Sequence, residues 1–243
     1  MSLSSKTLYE VIDNTWPAAT KTRVGDWTIR DGQGGGQRAS AATAEQPGGD
    51  IDQAETAMRD LGQTPLFMIR RGDDDLDQQL AARGYVIKDP VTAWAYPAAS
   101  LTDKPIPRVT VFTIWEPLMM MNEIWAAGGI GSGRLAVMDR VAMPKTGLLG
   151  RLNEKPGGVA FAAIHQAVAM VHAVEIVPFQ QRQGMGAWLM RGAAFWAVVH
   201  GAETLSVICT NANHAANGLY ASLGMQVVGQ YHYRILPTET DTK

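Results

Sequence analysis

Apolar residues recur along this chain with two periods, and helix-like and strand-like stretches follow one another from end to end. Ile51, Ala54, Met58 and Leu61 stand at helical spacing, and Gly62 closes the run. Leu189, Ala193 and Trp196 fall at i, i+4 and i+7, which gives a later helix a core-facing stripe. Helices are also expected over 7–16, ended by Pro17, over 118–127 after Pro117, and over 134–141. Another begins at Asp73, Asp74 and Asp75, read as cap and first-turn acids ahead of Leu76 and Leu80, and ends at Gly84. Apolar or alternating runs predict strands over 27–30, 66–69, 86–96, 109–115, 147–152, 158–166, 168–177, 204–209 and 226–235. The four glycines within 32–36 read as a hairpin turn with 38–43 as its returning strand, and 153–157 as a second turn. The chain is therefore of the α/β (α+β) class.

One order, strand, helix, glycine, strand, occurs twice. It runs through 66–96 and again through 205–235, and the helix endings match: Leu80-Ala-Ala-Arg-Gly-Tyr85 beside Tyr220-Ala-Ser-Leu-Gly-Met225. This implies an internal duplication, with a smaller unit over 1–104, a second over 105–243, and a linker at 102–108 that carries Pro105 and Pro107.

Composition narrows the class of function. With 243 residues, 46% of them hydrophobic, the chain can bury one large core or two modest ones. A net charge of -2, with both signs spread along the chain, favours neither a nucleic acid nor a membrane surface as partner. Cys209 is the single cysteine, which excludes an internal disulfide and a cysteine-rich zinc site and fits a reducing compartment. His165, His200, His214 and His232 have no metal-binding spacing, so no metal is expected. No long apolar run or leader-like segment occurs, and the expectation is a soluble, cytoplasmic protein, monomer or homodimer. No weight is placed on residues 1–3.

The chemistry concentrates in 171–190, VHAVEIVPFQQRQGMGAWLM: a strand stopped by Pro178, a glycine turn, and a helix start. Gly184 and Gly186 let successive backbone N–H groups crowd around a guest, and the first amides of a helix have no internal partner and carry its positive dipole end. The result is a cradle for linked phosphates. A dinucleotide fingerprint would need a third glycine where Leu189 stands, and the nucleoside-triphosphate loop would need a Gly-Lys-Ser/Thr that is missing. Further on, Asn213 is a helix cap, Tyr220 returns to nearly the same face two turns later, Ala216 between them leaves room for a thin ligand arm, and Gly224 stops the helix.

Gln181, Gly184 and Gly186, following Ile176-Val177-Pro178, resemble the acyl-CoA loop of the GNAT N-acetyltransferases, Q/R-x-x-G-x-G/A after V-x-P. Residues 213–225 resemble the second signature of that family, N-x-x-A-x-x-L-Y-x-x-x-G-F, with Met225 in place of Phe; the likeness covers about 107–236. The resemblance implies a mixed, mostly antiparallel sheet flanked by helices. It also implies that the first unit is a degenerate GNAT-like half without a cofactor site, as in tandem enzymes of the family. The implied reaction is transfer of an acetyl group from acetyl-CoA to a primary amine of a small molecule, amino acid or peptide terminus, by direct attack in a ternary complex. A non-catalytic acyl-CoA-binding regulatory module is the alternative.

On the same resemblance, Val174, Glu175, Ile176 and Val177 hold the pantetheine arm like an added strand. Gln181 and the amides of Arg182, Gln183, Gly184, Met185, Gly186 and Ala187 take the diphosphate, and Asn213, Ala216 and Tyr220 complete the site. Tyr220 is implied as proton donor to the departing thiolate. His172 is the first choice of base and Glu175 the second, because strand alternation puts His172 with Met170, Val174 and Ile176 and turns Glu175 the other way unless a bulge intervenes. Trp125, Arg134 and Asp139 are candidates for acceptor contact, and Cys209 is expected in the core rather than as a nucleophile.

Overall fold

In the order of the chain the elements are α1 (Ser5–Thr15), β1 (Thr20–Val24), β2 (Trp27–Asp31), α2 (Gln37–Ser40), β3 (Thr43–Ala44), α3 (Ile51–Asp60), β4 (Leu66–Ile69), α4 (Asp74–Ala82) and β5 (Val86–Pro97). After the proline-bearing connection come β6 (Val111–Ile114), α5 (Met119–Ala127), α6 (Ser132–Arg140), β7 (Lys145–Leu152), β8 (Lys155–His165), β9 (Val168–Ile176), α7 (Met185–Val199), β10 (Thr204–Thr210), α8 (His214–Ser222) and β11 (Gln226–Ile235). This is a computed structural model that describes residues 3–142 and 144–237. Met1, Ser2, Met143 and 238–243 lie outside the described residues.

Local chemistry sets the helix ends. The Ser4 hydroxyl accepts from the Thr7 amide, the Asp50 carboxylate from those of Asp52 and Gln53, and the Asn213 side chain from that of Ala216, so α1, α3 and α8 each begin on a satisfied cap. Asp73 departs from the expected role: its carboxylate accepts from the backbone and Nε of Arg70 and makes no cap bond to α4.

Eight strands form one sheet in the order β4-β11-β5-β10-β9-β8-β7-β6, and β1-β2-β3 make a small second sheet. Every neighbouring pair in the large sheet is antiparallel except β9 with β10. One face packs on α7 and α8 through Leu148, Val171, Leu205, Leu189 and Ala193; the other packs on α1 around Met170 and on α5 and α6 around Phe161 and Trp125. The stripe of Leu189, Ala193 and Trp196 faces this core as expected. The hairpin expected across the glycines of 32–36 is corrected: the turn of β2 is with β1, and the return to β2 pairs only Thr43 and Ala44. Residues 37–40 instead make one helical turn, which buries Ala39 and brings Arg38 to the large sheet.

The two similar stretches of sequence interlock. The unit β4-α4-β5 and the unit β10-α8-β11 each place their second strand at the centre, where β5 and β11 pair, and each outer strand pairs with the other unit's inner strand, β10 with β5 and β4 with β11. Their helices end alike. The Tyr85 amide donates to the Leu80 carbonyl at 3.0 Å and the Gly84 amide to that of Ala81 at 3.0 Å; Met225 to Tyr220 at 3.1 Å and Gly224 to Ala221 at 3.0 Å repeat the pair.

Asp77 on α4 ties the units together. It accepts from Arg234 Nε and Nη2 at 2.7 and 2.9 Å and lies 2.7 Å from His232 Nε2, both on β11. Hydrogen bonding from Arg234, opposed by partial burial and aided by His232, holds the carboxyl below its usual range. Because the folded pKa is depressed, this contribution is complete above about pH 4 and fades as pH falls through the lower folded value. Asp77→Ala leaves the buried Arg234 without its counter-ion and should cost about 2 kcal/mol, short of a fully enclosed pair because Asp77 is partly exposed. Urea midpoints at pH 7 and pH 3 check this, with the difference between wild type and variant shrinking at the lower pH.

Candidate active site

The sheet opens at one place. β9 and β10 are paired from Val168↔Thr204 to Val171↔Val207 and no further, and beyond that point a cleft of about 590 Å³ lies between 171–176 and 207–210. A β-bulge makes the opening. Glu175 faces Val159 and His172 faces Phe161, so Ala173 and Val174 share the place opposite Ala160, and Ala173 takes a left-handed φ of 52°. Trp125 Nε1 donates to the Ala173 carbonyl at 2.8 Å, which offsets part of the roughly 1 kcal/mol or more such a backbone costs in a non-glycine residue. Trp125 is fully buried, so this candidate for acceptor contact instead holds the bulge; Asp139 lies off the cleft wall, and Arg134 lines it.

The bulge reverses the expected faces of β9. Met170 and His172 point toward α1, whereas Val174 and Ile176 join Val171 on the α7 side. Glu175 is thereby returned to the side of His172, against the end of α5, where a Cβ on Gly128 would collide with its carboxylate.

At the mouth of the cleft Gly184 has φ 86°, and a Cβ built there would meet nothing within 4 Å. The first internal bond of α7 runs from the Trp188 amide to the Gly184 carbonyl at 3.1 Å. Among the described residues, the amides of 182–187 have no backbone acceptor, so a row of N–H groups is left for a guest. Of the expected cofactor residues, Val177 and Gln183 lie off the cleft wall. The Val177 amide donates to Gly157, and Gln183 Nε2 to the Phe179 carbonyl. The others line the cleft, with Gln181 Nε2 bonded to the Ile176 carbonyl at 3.3 Å. A narrow cleft with one bare strand edge and an amide-lined mouth fits a thin carrier with linked phosphates.

His172 does not have the surroundings of a free base. Its Nδ1 lies 2.7 Å from Arg38 Nη1 and its Nε2 2.9 Å from Thr15 Oγ1. Thr15 gives its own proton to the Val11 carbonyl at 2.6 Å, so His172 carries hydrogen on Nε2 and accepts at Nδ1 from the guanidinium. Burial first, and the Arg38 charge second, push its pKa well down. The expectation of His172 as base is corrected on that ground: both nitrogens are engaged and the lone pair faces a cation. Glu175 is half-buried and lines the cleft, and burial raises its pKa against the opposing pull of Arg134. The Tyr220 side chain is buried at the cleft floor, with its hydroxyl pKa raised by burial and, secondarily, by Cys209. The Cys209 thiol is pushed up to about 11 by burial and donates to Asn217 Oδ1 at 3.2 Å, which suits packing rather than nucleophilic attack.

A second chamber of about 320 Å³ adjoins the cleft and shares with it Arg38, Ile130, Arg134, Ala173 and 208–210. Its far walls come from the first hundred residues, among them Trp16 and 35–37, and from Tyr231 and Tyr233 on β11. Among the described residues no cluster of His, Cys, Asp and Glu could hold a metal, and no helix is long and apolar enough to cross a membrane.

The acetyltransferase (GNAT) family profile matches residues 135–225, the stretch that holds the bulge, the amide row and Tyr220. That stretch is similar to the GNAT acetyltransferases. The uncharacterized N-acetyltransferase YobR of Bacillus subtilis (strain 168) is 24% identical over 234 residues, 91% of this chain and 94% of that protein. Among solved structures, a GCN5-related N-acetyltransferase from Kribbella flavida superposes with a TM-score of 0.72 at 17% identity, covering 98% of this chain and 97% of that one. A tandem GNAT protein from the clavulanic acid biosynthesis pathway gives 0.60 at 14%, covering 94% and 86%. These likenesses give the fold: a GNAT sheet, mixed and mostly antiparallel, with helices on both faces.

Three residues around the cleft escape a reading of the sequence. Asn217 stands one turn after the Asn213 cap and takes bonds from Trp94 Nε1 at 3.0 Å and Cys209, while giving its amide to the carbonyls of Thr210 and Asn213. Its spacing from Asn213 is the one signal that could have pointed to it. Gln180 is buried with Nε2 on the Leu152 carbonyl at 3.0 Å, and its Oε1 has no donor among the described residues. Arg38 lies 134 residues from His172 in sequence, and only the glycine cluster before it marks the place.

Proposed function

We propose that the protein is an acetyl-CoA-dependent N-acetyltransferase for a small primary amine, working by direct attack in a ternary complex in the cytoplasm. The observation that carries this reading is the parting of β9 from β10 directly above a row of unpaired helix-start amides. Arg182, Gly184, Met185, Gly186 and Ala187 would hold the diphosphate by their N–H groups, and the bare edge of 174–176 the pantetheine arm. Acetyl-CoA supplies the acyl group as an activated thioester. The amine nitrogen forms the new bond to the acyl carbon as the carbon–sulfur bond breaks; Glu175 takes the proton from nitrogen, and the Tyr220 hydroxyl gives one to sulfur. His172 is a positioning residue for Arg38. Residues 1–104 serve as a degenerate GNAT-like half that holds no cofactor and closes the acceptor chamber, a reading supported by the symmetric pairing of the two strand–helix–strand units and by the chamber wall at 35–38.

Isothermal titration with CoA and a free-thiol assay with a panel of amines test the proposal. Thiol release that requires an amine supports it; CoA binding without release from any amine leaves the acyl-CoA-binding module, and no CoA binding removes both. Tyr220→Phe should lower kcat by about tenfold to a hundredfold and leave CoA affinity unchanged. The effect stays moderate because a thiolate, with a conjugate acid near about pH 8.5, leaves tolerably without a proton.

A further inference from the structure

The charges around the second chamber point to a particular kind of amine. Arg38 is partly buried, its guanidinium lies 4.9 Å from the centre of the Trp16 ring, and its Nη1 is tied to the neutral His172. Its Nε and Nη2 have no hydrogen-bond partner among the described residues, and no carboxylate there lies within salt-bridge distance of either Arg38 or Arg134. Asp89, at the exposed rim, is engaged by Gln37 Nε2 at 2.8 Å and does not pair with Arg38. Withdrawing an arginine from water without a counter-ion is costly, and here the plane and direction of the fork are fixed by a stacked indole, a buried imidazole and the Thr15 hydroxyl behind it. A planar fork held in this way matches a carboxylate, which takes two parallel N–H bonds.

Building on the transferase reading above, we infer that the acceptor is a small amino carboxylate, held by its carboxylate on Arg38 with Arg134 beside it and its amine directed toward Glu175. A cavity of about 320 Å³ admits a free amino acid or a molecule little larger, not a folded protein surface. Glu175 and Arg38 border the same joined space, so one guest spans from base to fork.

The test compares α- and ω-amino acids with their carboxamides and with phosphoethanolamine, by thiol release and by titration of each into the CoA-saturated protein. The expected result is a kcat/KM about 10- to 100-fold higher for the carboxylate than for its carboxamide. Arg38→Gln should remove that preference by weakening the carboxylate alone, with CoA affinity unchanged. Arg134→Gln, on an exposed side chain whose loss leaves the core intact, should reduce it severalfold. Equal turnover of acids and amides, a preference that survives Arg38→Gln in protein that still binds CoA, or better use of phosphoethanolamine overturns the inference while the transferase reading stands. If no amine releases thiol, that reading fails; Arg38-dependent binding of an amino acid in the titration would still support the carboxylate site, and its absence would remove it.

Discussion

Glu175→Gln should lower kcat/KM by about 10²- to 10³-fold while CoA binds as before. An amine with a pKa near about 10.4 is neutral to roughly one part in 10³ at pH 7, so a group that collects its proton adds directly to the rate. Glu175 is the carboxylate that the bulge turns into the cleft, and burial raises its pKa. A protonated carboxyl cannot act as base. Activity is therefore present above the raised value and lost as pH falls through it, and the acid limb of the profile should lie above the ordinary range of glutamate. In the glutamine variant that limb disappears. His172→Ala gives the contrast: with its lone pair already on Arg38, the limb should stay in place while KM for the acceptor rises. A profile in which His172→Ala erases the limb and Glu175→Gln keeps it would reverse the two roles.

Gly184→Val should raise the Kd for CoA by about 100-fold or more with a Tm loss of only about 2–8 °C. Two effects combine. A β-branched residue at φ 86° costs roughly 1–2 kcal/mol of backbone strain, which is the small change in Tm for a chain of this length. Its side chain would also stand in the open space where the amides of 182–187 converge, and there it excludes the phosphates they would hold. Calorimetric titration and thermal melts, run side by side, separate the two. An unchanged Kd would mean that the diphosphate lies elsewhere.

Features set by neighbours in sequence were legible before the fold. The strand, turn and helix around Gly184 and the Asn213 cap depend on interactions a few residues long, and both stand where the spacing places them. The bulge was not legible, because Ala173 carries no mark of it. It depends on Ala160 across the sheet and on the Trp125 indole 48 residues away, and one extra residue in the ladder was enough to exchange the faces of β9 and with them the ranking of His172 and Glu175. Arg38 was hidden in the same way. Its segment has no periodic pattern, and its role comes from an imidazole in another part of the chain. The repeated helix ending revealed the two related units but not that they exchange partners, since pairing choice is a property of the whole sheet.

The interleaving of those units also bears on how the molecule comes into being. During synthesis β5 leaves the ribosome long before either strand that will flank it, and β4 before its only neighbour in the large sheet. Both must wait with open edges until β10 and β11 emerge, so the later unit is the clasp that fastens the earlier one, and the nascent chain is most open to mispairing in that interval.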